Sequence, residues 1–170
     1  MNFKIQDLSS LYRIKKLTPK DVPAVLELAR TNPYYYECVP PAITAEAIKK
    51  DMKVLPPKTT MKDKFYVGFF KGNELVAVLD LIFNYPNSNS IFIGFFMMHK
   101  KYQRHGIGSQ IVQEILAHIP TPYTEAHLGV ASKNEISKKF WQKNGFNFTG
   151  KEYQQPHYTV QIMNRKLKLL

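Results

Sequence analysis

The chain has 170 residues, the length of one domain, with 24 Lys and Arg against 13 Asp and Glu, a formal charge of +11. A hydrophobic share of 44% is that of a chain with a core to bury, which argues against intrinsic disorder. No run of about 18 apolar residues is present to span a bilayer. The opening MNFKIQDLSSLYRIKKL lacks the apolar stretch of a secretory signal, and the single cysteine, Cys38, excludes an internal disulfide and a multi-cysteine zinc site. A reducing, cytoplasmic setting is therefore expected, with no membrane partner. The surplus positive charge points to nucleic acid, an anionic surface or an anionic cofactor.

One domain is expected over residues 1–170, with 1–11 a loose arm. Residues 12–17 alternate as a short strand. Thr18, Pro19 and Asp21 then supply a hydroxyl cap, a first-turn proline and a first-turn acid. Val22, Val25, Leu26 and Ala29 continue that helix as its apolar face, until Asn32-Pro33 stops it. Residues 32–41 (NPYYYECVPP) read as an aromatic loop between prolines. Thr44 opens a second helix with Ile48, Met52 and Leu55 on one side. Strands follow at 65–70 and 74–83, then a hairpin loop at 84–90 and a nearly continuous apolar strand at 91–98. A helix after Gly106, a strand at 126–130, a helix at 134–144 with Ile136, Phe140 and Trp141 inward, and strands at 146–150 and 158–167 complete the chain. Gly145 falls where a left-handed residue ends a helix. The predicted order is β-α-α-β-β-β-α-β-α-β-β, an α/β fold, with the last strand offering an edge for a homodimer.

The segment from Phe95 to Gly108 carries the chemistry. A buried strand runs into a basic turn with glycines at 106 and 108, and an amphipathic helix follows at once. The first amides of a helix lack intrahelical partners and favour an anion, and glycine removes the Cβ atoms that would hold a phosphate away. A pair of glycines alone is equally a tight strand-to-helix turn; the motif is neither a Walker loop nor the three-glycine dinucleotide fingerprint.

Gln103-Arg104-His105-Gly106-Ile107-Gly108, at a strand–turn–helix junction, resembles the signature of the GNAT family of N-acetyltransferases. A second family pattern is matched by Asn134, Ser137, Phe140-Trp141 and Gly145-Phe146. The resemblance implies a mixed, mostly antiparallel central sheet flanked by about four helices. It also implies acetyl-CoA as co-substrate, no metal, and direct transfer of the acetyl group to a small-molecule or peptide amine in a ternary complex. Backbone amides over Arg104, His105, Gly106, Ile107, Gly108 and Ser109, with Gln103 at the start of the turn, would cradle the CoA pyrophosphate. The main chain of Phe96 and Met98, beside a strand bulge, would pair with pantetheine. Asn134 would hold the pantetheine arm, a role compatible with capping its helix.

Acetyl transfer needs a neutral amine, which at pH 7 costs roughly 4.6 kcal/mol for a group of pKa ~10.4, so a proton acceptor is required. Asp80 interrupts an apolar strand, where a lone carboxylate is expensive, and is a candidate base or else a paired structural acid. Glu37, in the aromatic loop, is the second candidate, and Tyr34, Tyr35 and Tyr36 are candidate lining of an acceptor pocket. Most of the remaining acids, Asp51 among them, read as solvated helix or turn positions. Trp141 stands where many members of the family carry a tyrosine acid, and indole is not a usable acid. Tyr102 and Tyr123 are substitutes for that role. Cys38 has no paired histidine to make it a nucleophile, and the five histidines show no ligand spacing for a metal. A CoA-binding sensor of the same fold is the alternative reading. A nucleic-acid-binding domain is not expected, because no reading helix or RNA-binding signature is present.

Overall fold

The computed structural model describes residues 3–167. Seven strands form one sheet in the order β1-β2-β3-β4-β5-β7-β6. They are β1 (Arg13–Lys16), β2 (Lys64–Lys71), β3 (Glu74–Phe83), β4 (Ser90–Met98), β5 (Glu125–Ala131), β6 (Asn147–Gln154) and β7 (Thr159–Lys166). Every neighbouring pair is antiparallel except β4 and β5. Among the described residues five α-helices flank the sheet: α1 (Val22–Arg30), α2 (Pro33–Cys38), α3 (Ala45–Asp51), α4 (Ile107–Ala117) and α5 (Glu135–Lys143).

The helix starts follow the local chemistry. Thr18 and Asp21 cap one another reciprocally ahead of α1, the Thr44 hydroxyl accepts from the Ala47 amide, and Asn134 Oδ1 accepts from the Ser137 amide. Gly145, at φ +85°, ends α5 in the left-handed region. The sheet separates two cores. Val25, Leu28 and Ala29 of α1 and Ile48 of α3 cover Tyr66, Phe70, Val78 and Met97 on one face. Ile111, Val112 and Ile115 of α4, with Trp141, cover Val67, Phe69, Leu79, Leu81 and Ile93 on the other.

Several expectations change. Residues 33–38 are helical rather than looped, because Pro33 occupies a first-turn position where a missing N–H costs nothing. In α1 it is Leu28, not Leu26, that is fully buried. Ile136 is 56% exposed, since α5 turns Trp141 to the core. Residues 3–11 are packed rather than loose: Phe3 sits edge-on to Phe65, Leu8 is buried, and Ser9 Oγ donates to Glu114. The last strand, β7, is not an edge. It lies between β5 and β6, and the edge strands are β1 and β6.

Two irregularities prepare the site. Opposite β3, the register shifts between Asp80, paired with Phe95, and Leu81, paired with Ile93, so Gly94 is an extra residue in β4. The bulge reverses the alternation: Ile91 and Ile93 face α4 before it, and Phe96 and Met98 do so after it. Pairing of β4 with β5 stops at Ile93 and Leu128, and beyond that point the strands part.

Candidate functional site

Where β4 and β5 part, a cleft of about 210 Å³ opens, lined by Phe95 and Phe96 of β4, Gly129 and Val130 of β5, and Asn134 and Trp141 of α5. The His99 amide donates to Val76 O, so Val76 and His99 form a hydrogen-bonded pair of the β3–β4 ladder. Phe96 and Met98 therefore sit at positions whose N–H groups point away from β3, toward the cleft. The Met98 carbonyl is already occupied, accepting from the amide nitrogens of Asn32 and Gln103, each at 2.9 Å. Asn134 spends its side-chain oxygen on the cap of α5 and is 3% exposed within the cleft lining. Its amide nitrogen remains as the donor.

At the N-terminus of α4, Gly106 has φ +77° and no side chain caps the helix. A Cβ at Gly106 would meet nothing within 4 Å, so the space before these amides is open. Gly108 has a different reason. A Cβ there would lie 2.8 Å from Met98 Sδ and 3.3 Å from Phe140, so this glycine lets α4 approach β4 and α5 rather than admitting a phosphate. Gln103 likewise does not face the open space: its amide nitrogen donates to Asn32 Oδ1 at 2.6 Å as well as to Met98 O. Arg104 and His105 are exposed, and Arg104 takes φ +64°. Lys101 and Lys138 are paired with Glu74 and Glu135, whereas Lys100, Arg104 and Lys139 make no ion pair among the described residues. Ile107 is half-buried and Ser109 Oγ accepts from Asn144. An anionic group fits this turn: unpartnered helix amides, open space and uncommitted positive charge coincide.

A second, larger cavity of about 530 Å³ lies against the α1–α3 face. Val25, Leu28, Ile43, Ile48 and Leu55 give it apolar walls, and Tyr35, Tyr36, Tyr66, Tyr158, Asp51 and Asp80 contribute polar atoms. Asp80 is 7% exposed, and its Oδ2 takes a 2.6 Å hydrogen bond from Lys64 Nζ. Burial raises the Asp80 carboxyl to about 6 against the opposing pull of the Lys64 ammonium, with Asp51 adding to the rise. Asp80 Oδ1 is the only fully buried side-chain nitrogen or oxygen without a hydrogen-bond partner among the described residues. Gly94 is what admits this carboxylate, because a Cβ there would be 2.8 Å from Asp80 Oδ2. The two cavities share Gly94, Phe95, Tyr35, Val39, Phe92 and Tyr158, so they meet at the bulge above Asp80.

Of the candidates for this pocket, Tyr35, Tyr36 and Asp80 come together. Tyr34, 37% exposed, bonds Lys133 O, and Glu37 is exposed on α2; neither lines a cavity. Trp141 is buried edge-on to Phe96, Phe140 and Phe146. Tyr102 and Tyr123 are committed elsewhere, to Glu74 and Asn84, and line neither cavity. Asp51, Tyr66, Lys64 and Tyr158 join the site although none was singled out in sequence. Tyr66 is the cross-strand partner of Asp80, which only the register reveals. No group of three His, Cys, Asp or Glu is clustered for a metal, and no helix is long and apolar enough to cross a membrane, among the described residues.

A family model described as acetyltransferase (GNAT) family matches residues 25–146. Among solved structures, an acetyltransferase from Thermus thermophilus aligns with a TM-score of 0.73 and 22% identity over 91% of this chain and 96% of that one. The PaiA N-acetyltransferase of Thermoplasma acidophilum, solved in complex with coenzyme A, aligns with a TM-score of 0.65 and 19% identity over 91% and 98%. An acetyl transferase of Salmonella typhimurium that modifies the N-terminal serine of ribosomal protein L7/L12 aligns with a TM-score of 0.71 and 18% identity over 95% and 98%. At these identities the likeness is one of fold. No curated protein matches the sequence significantly.

Proposed function

Since the chain belongs to the GNAT acetyltransferase family, we propose that it moves an acetyl group from acetyl-CoA directly to an amine, with both substrates bound together. The observation that carries this reading is the junction of two cavities at Gly94 and Phe95, above a buried carboxylate. A thioester arm in the smaller cavity and an amine in the larger one would meet there without a covalent enzyme intermediate.

The residues divide the work by their chemistry. The α4 amides, with Lys100, Arg104 and Lys139, hold the CoA phosphates, which accounts for part of the +11 charge. The N–H groups of Phe96 and Met98 and the Asn134 amide nitrogen hold the pantetheine arm. A main-chain N–H at the bulge stabilises the charge that develops on the thioester oxygen as the amine attacks. Asp80 takes the amine proton: its carboxyl titrates near 6, so it is ionised at pH 7 and still basic enough to accept. The amine nitrogen bonds to the carbonyl carbon, the carbon–sulfur bond breaks, and the CoA thiolate leaves. With Trp141 packed and unable to act as an acid, Tyr158, which lines both cavities, is the phenol we assign to return a proton to that sulfur.

The test is thiol release from acetyl-CoA across a panel of amines, with CoA affinity measured in parallel. Tyr158→Phe should lower kcat by about tenfold or more without weakening CoA binding. Tight CoA binding with no thiol release for any amine would replace the enzyme reading by that of a CoA-binding sensor.

A further inference from the structure

We infer that the acceptor is a small monoamine carrying an aromatic or branched apolar body, rather than a polyamine, an amino sugar or a protein N-terminus. The inference rests on the acetyl-transfer reading above and specifies which amine the larger cavity takes.

Charge comes first. The lining of the 530 Å³ cavity includes two carboxylates, Asp51 and Asp80, and no lysine or arginine. Lys64 approaches Asp80 from outside the lining and neutralises one of the two negative charges. One negative charge remains, which matches one ammonium. Lys64 engages Asp80 Oδ2 only, so the carboxylate that lines the cavity keeps hydrogen-bonding capacity unspent for an arriving N–H donor, Oδ1 being buried without a partner. The same carboxylate is beside the bulge, its Oδ2 2.8 Å from where a Cβ on Gly94 would lie, and the amine must lie there to reach the smaller cavity.

The walls decide the rest of the molecule. Away from the carboxylates the cavity is walled by Val25, Leu28, Ile43, Ile48 and Leu55, with Tyr35, Tyr36 and Phe95 supplying aromatic faces. Tyr35 and Phe95 meet edge-on, their ring centroids 5.9 Å apart, and aromatic pairs of this geometry are favourable beyond the area they bury. A peptide entering here would bring an amide every residue, and the aliphatic walls would leave those amides unpaired. A sugar would bury several hydroxyls, and those turned to the aliphatic walls rather than to the tyrosines and carboxylates would meet the same penalty. A polyamine would place a second or third ammonium against aliphatic walls with one excess negative charge to answer it. An apolar body loses nothing on entry and gains the burial of its own surface. The volume is that of an ordinary small-ligand site.

The experiment uses the full chain with acetyl-CoA, comparing 2-phenylethylamine, ethylamine, spermidine, glucosamine and a Ser-Ala-Ala peptide by thiol release. The same amines are titrated calorimetrically into protein saturated with CoA. The expected result is a kcat/KM for 2-phenylethylamine about 100-fold above those of spermidine, glucosamine and the peptide, the scale set by leaving buried polar groups unpaired. Ala47 lines the cavity on α3, where leucine is as good a helix former, so Ala47→Leu fills space without breaking the helix. It should cut kcat/KM for 2-phenylethylamine by about tenfold and that for ethylamine far less, a split that general destabilisation would not produce. Preference for the peptide, spermidine or glucosamine overturns the inference, as does indifference of 2-phenylethylamine to Ala47→Leu. If 2-phenylethylamine binds the CoA-loaded protein selectively but is not acetylated, the acceptor class stands and the transfer reading fails. If none of the amines binds, the acceptor class fails.

Discussion

Replacing Lys64 by methionine isolates the electrostatics of the candidate base. Lys64 Nζ lies 2.6 Å from Asp80 Oδ2, and the two side chains are 1% and 10% exposed. Burial already lifts the Asp80 carboxyl from 3.8 to about 6 while the ammonium holds it down. A rise of about 2 units disfavours the charged form by about 3 kcal/mol. Without the ammonium both restraining influences vanish, and buried carboxyls without a partner reach pKa values of about 8–9. The ionised fraction at pH 7 then falls from about nine-tenths to about one-tenth or less, so kcat at saturating amine should drop about tenfold at pH 7 and recover above pH ~9. The assay is kcat against pH from about 5 to 9.5 for wild type, Lys64→Met and Asp80→Asn. Wild type should show an ascending limb near 6, Lys64→Met the same limb moved upward, and Asp80→Asn no such limb, with kcat at least about 100-fold lower. Stability offers an independent check. A carboxyl whose folded pKa is raised contributes stability that is full below its unfolded pKa of ~3.9 and is lost as pH rises through the folded value, here about 6. Lys64→Met extends that loss to higher pH, so its Tm relative to that of wild type should fall steadily from pH ~4 toward pH ~9. An unmoved limb in Lys64→Met, or a surviving limb in Asp80→Asn, refutes Asp80 as the base.

Three other substitutions follow from the geometry. Gly94→Ala places a methyl group 2.8 Å from Asp80 Oδ2, so it should displace the carboxylate, lower kcat by about tenfold or more and leave CoA affinity within about twofold. Gly106→Ala forces a side chain into φ +77°, a strain of about 1 kcal/mol that should lower Tm by about 2–4 °C and weaken CoA binding; thermal melts and titration read both. Trp141→Phe removes part of an aromatic cluster and no proton donor. It should cost about 1–2 kcal/mol in denaturant unfolding while kcat stays within about threefold, and a larger kcat loss would give the indole a role in the reaction.

The parts legible in sequence are those that local chemistry determines. Thr18, Thr44 and Asn134 announce their helices because a cap needs one side chain and the next turn. The turn at Gly106 is legible for the same reason, and Asp80 stands out because a carboxylate in an apolar strand must be explained. The remainder is set by register and by distant chain. Tyr66 reaches the site through its pairing with Asp80, and Tyr158 through the position of β7 inside the sheet. Asp51 is exposed as a residue, and only the fold of the 39–44 segment makes its neighbourhood a cavity. Gly94 did leave a trace, since a lone glycine in an apolar strand signals a bulge or a close approach, and here it is both. The mis-phased Ile136 shows the converse: on α5 the packing of one large side chain, Trp141, outweighs the spacing of smaller ones.

The parting of β4 from β5 after Ile93 has a thermodynamic consequence. Sheets ordinarily confine their unpaired strand edges to the outside, where charge or brevity protects them. Here an edge lies open in the interior of a seven-stranded sheet, just past the extra residue in β4, in a cleft lined by Ser137 and Trp141 of α5. The main-chain groups of Phe96 and Met98 are thus an interruption in the ladder, one strand wide and only a few residues long. A molecule that fills it finishes the sheet, so its binding energy is also folding energy. At a free concentration about 100 times its Kd such a ligand adds about 2.7 kcal/mol to the stability of the native state. On the acetyl-transfer reading proposed above, the arm of acetyl-CoA would be that added strand, present only while the work is being done.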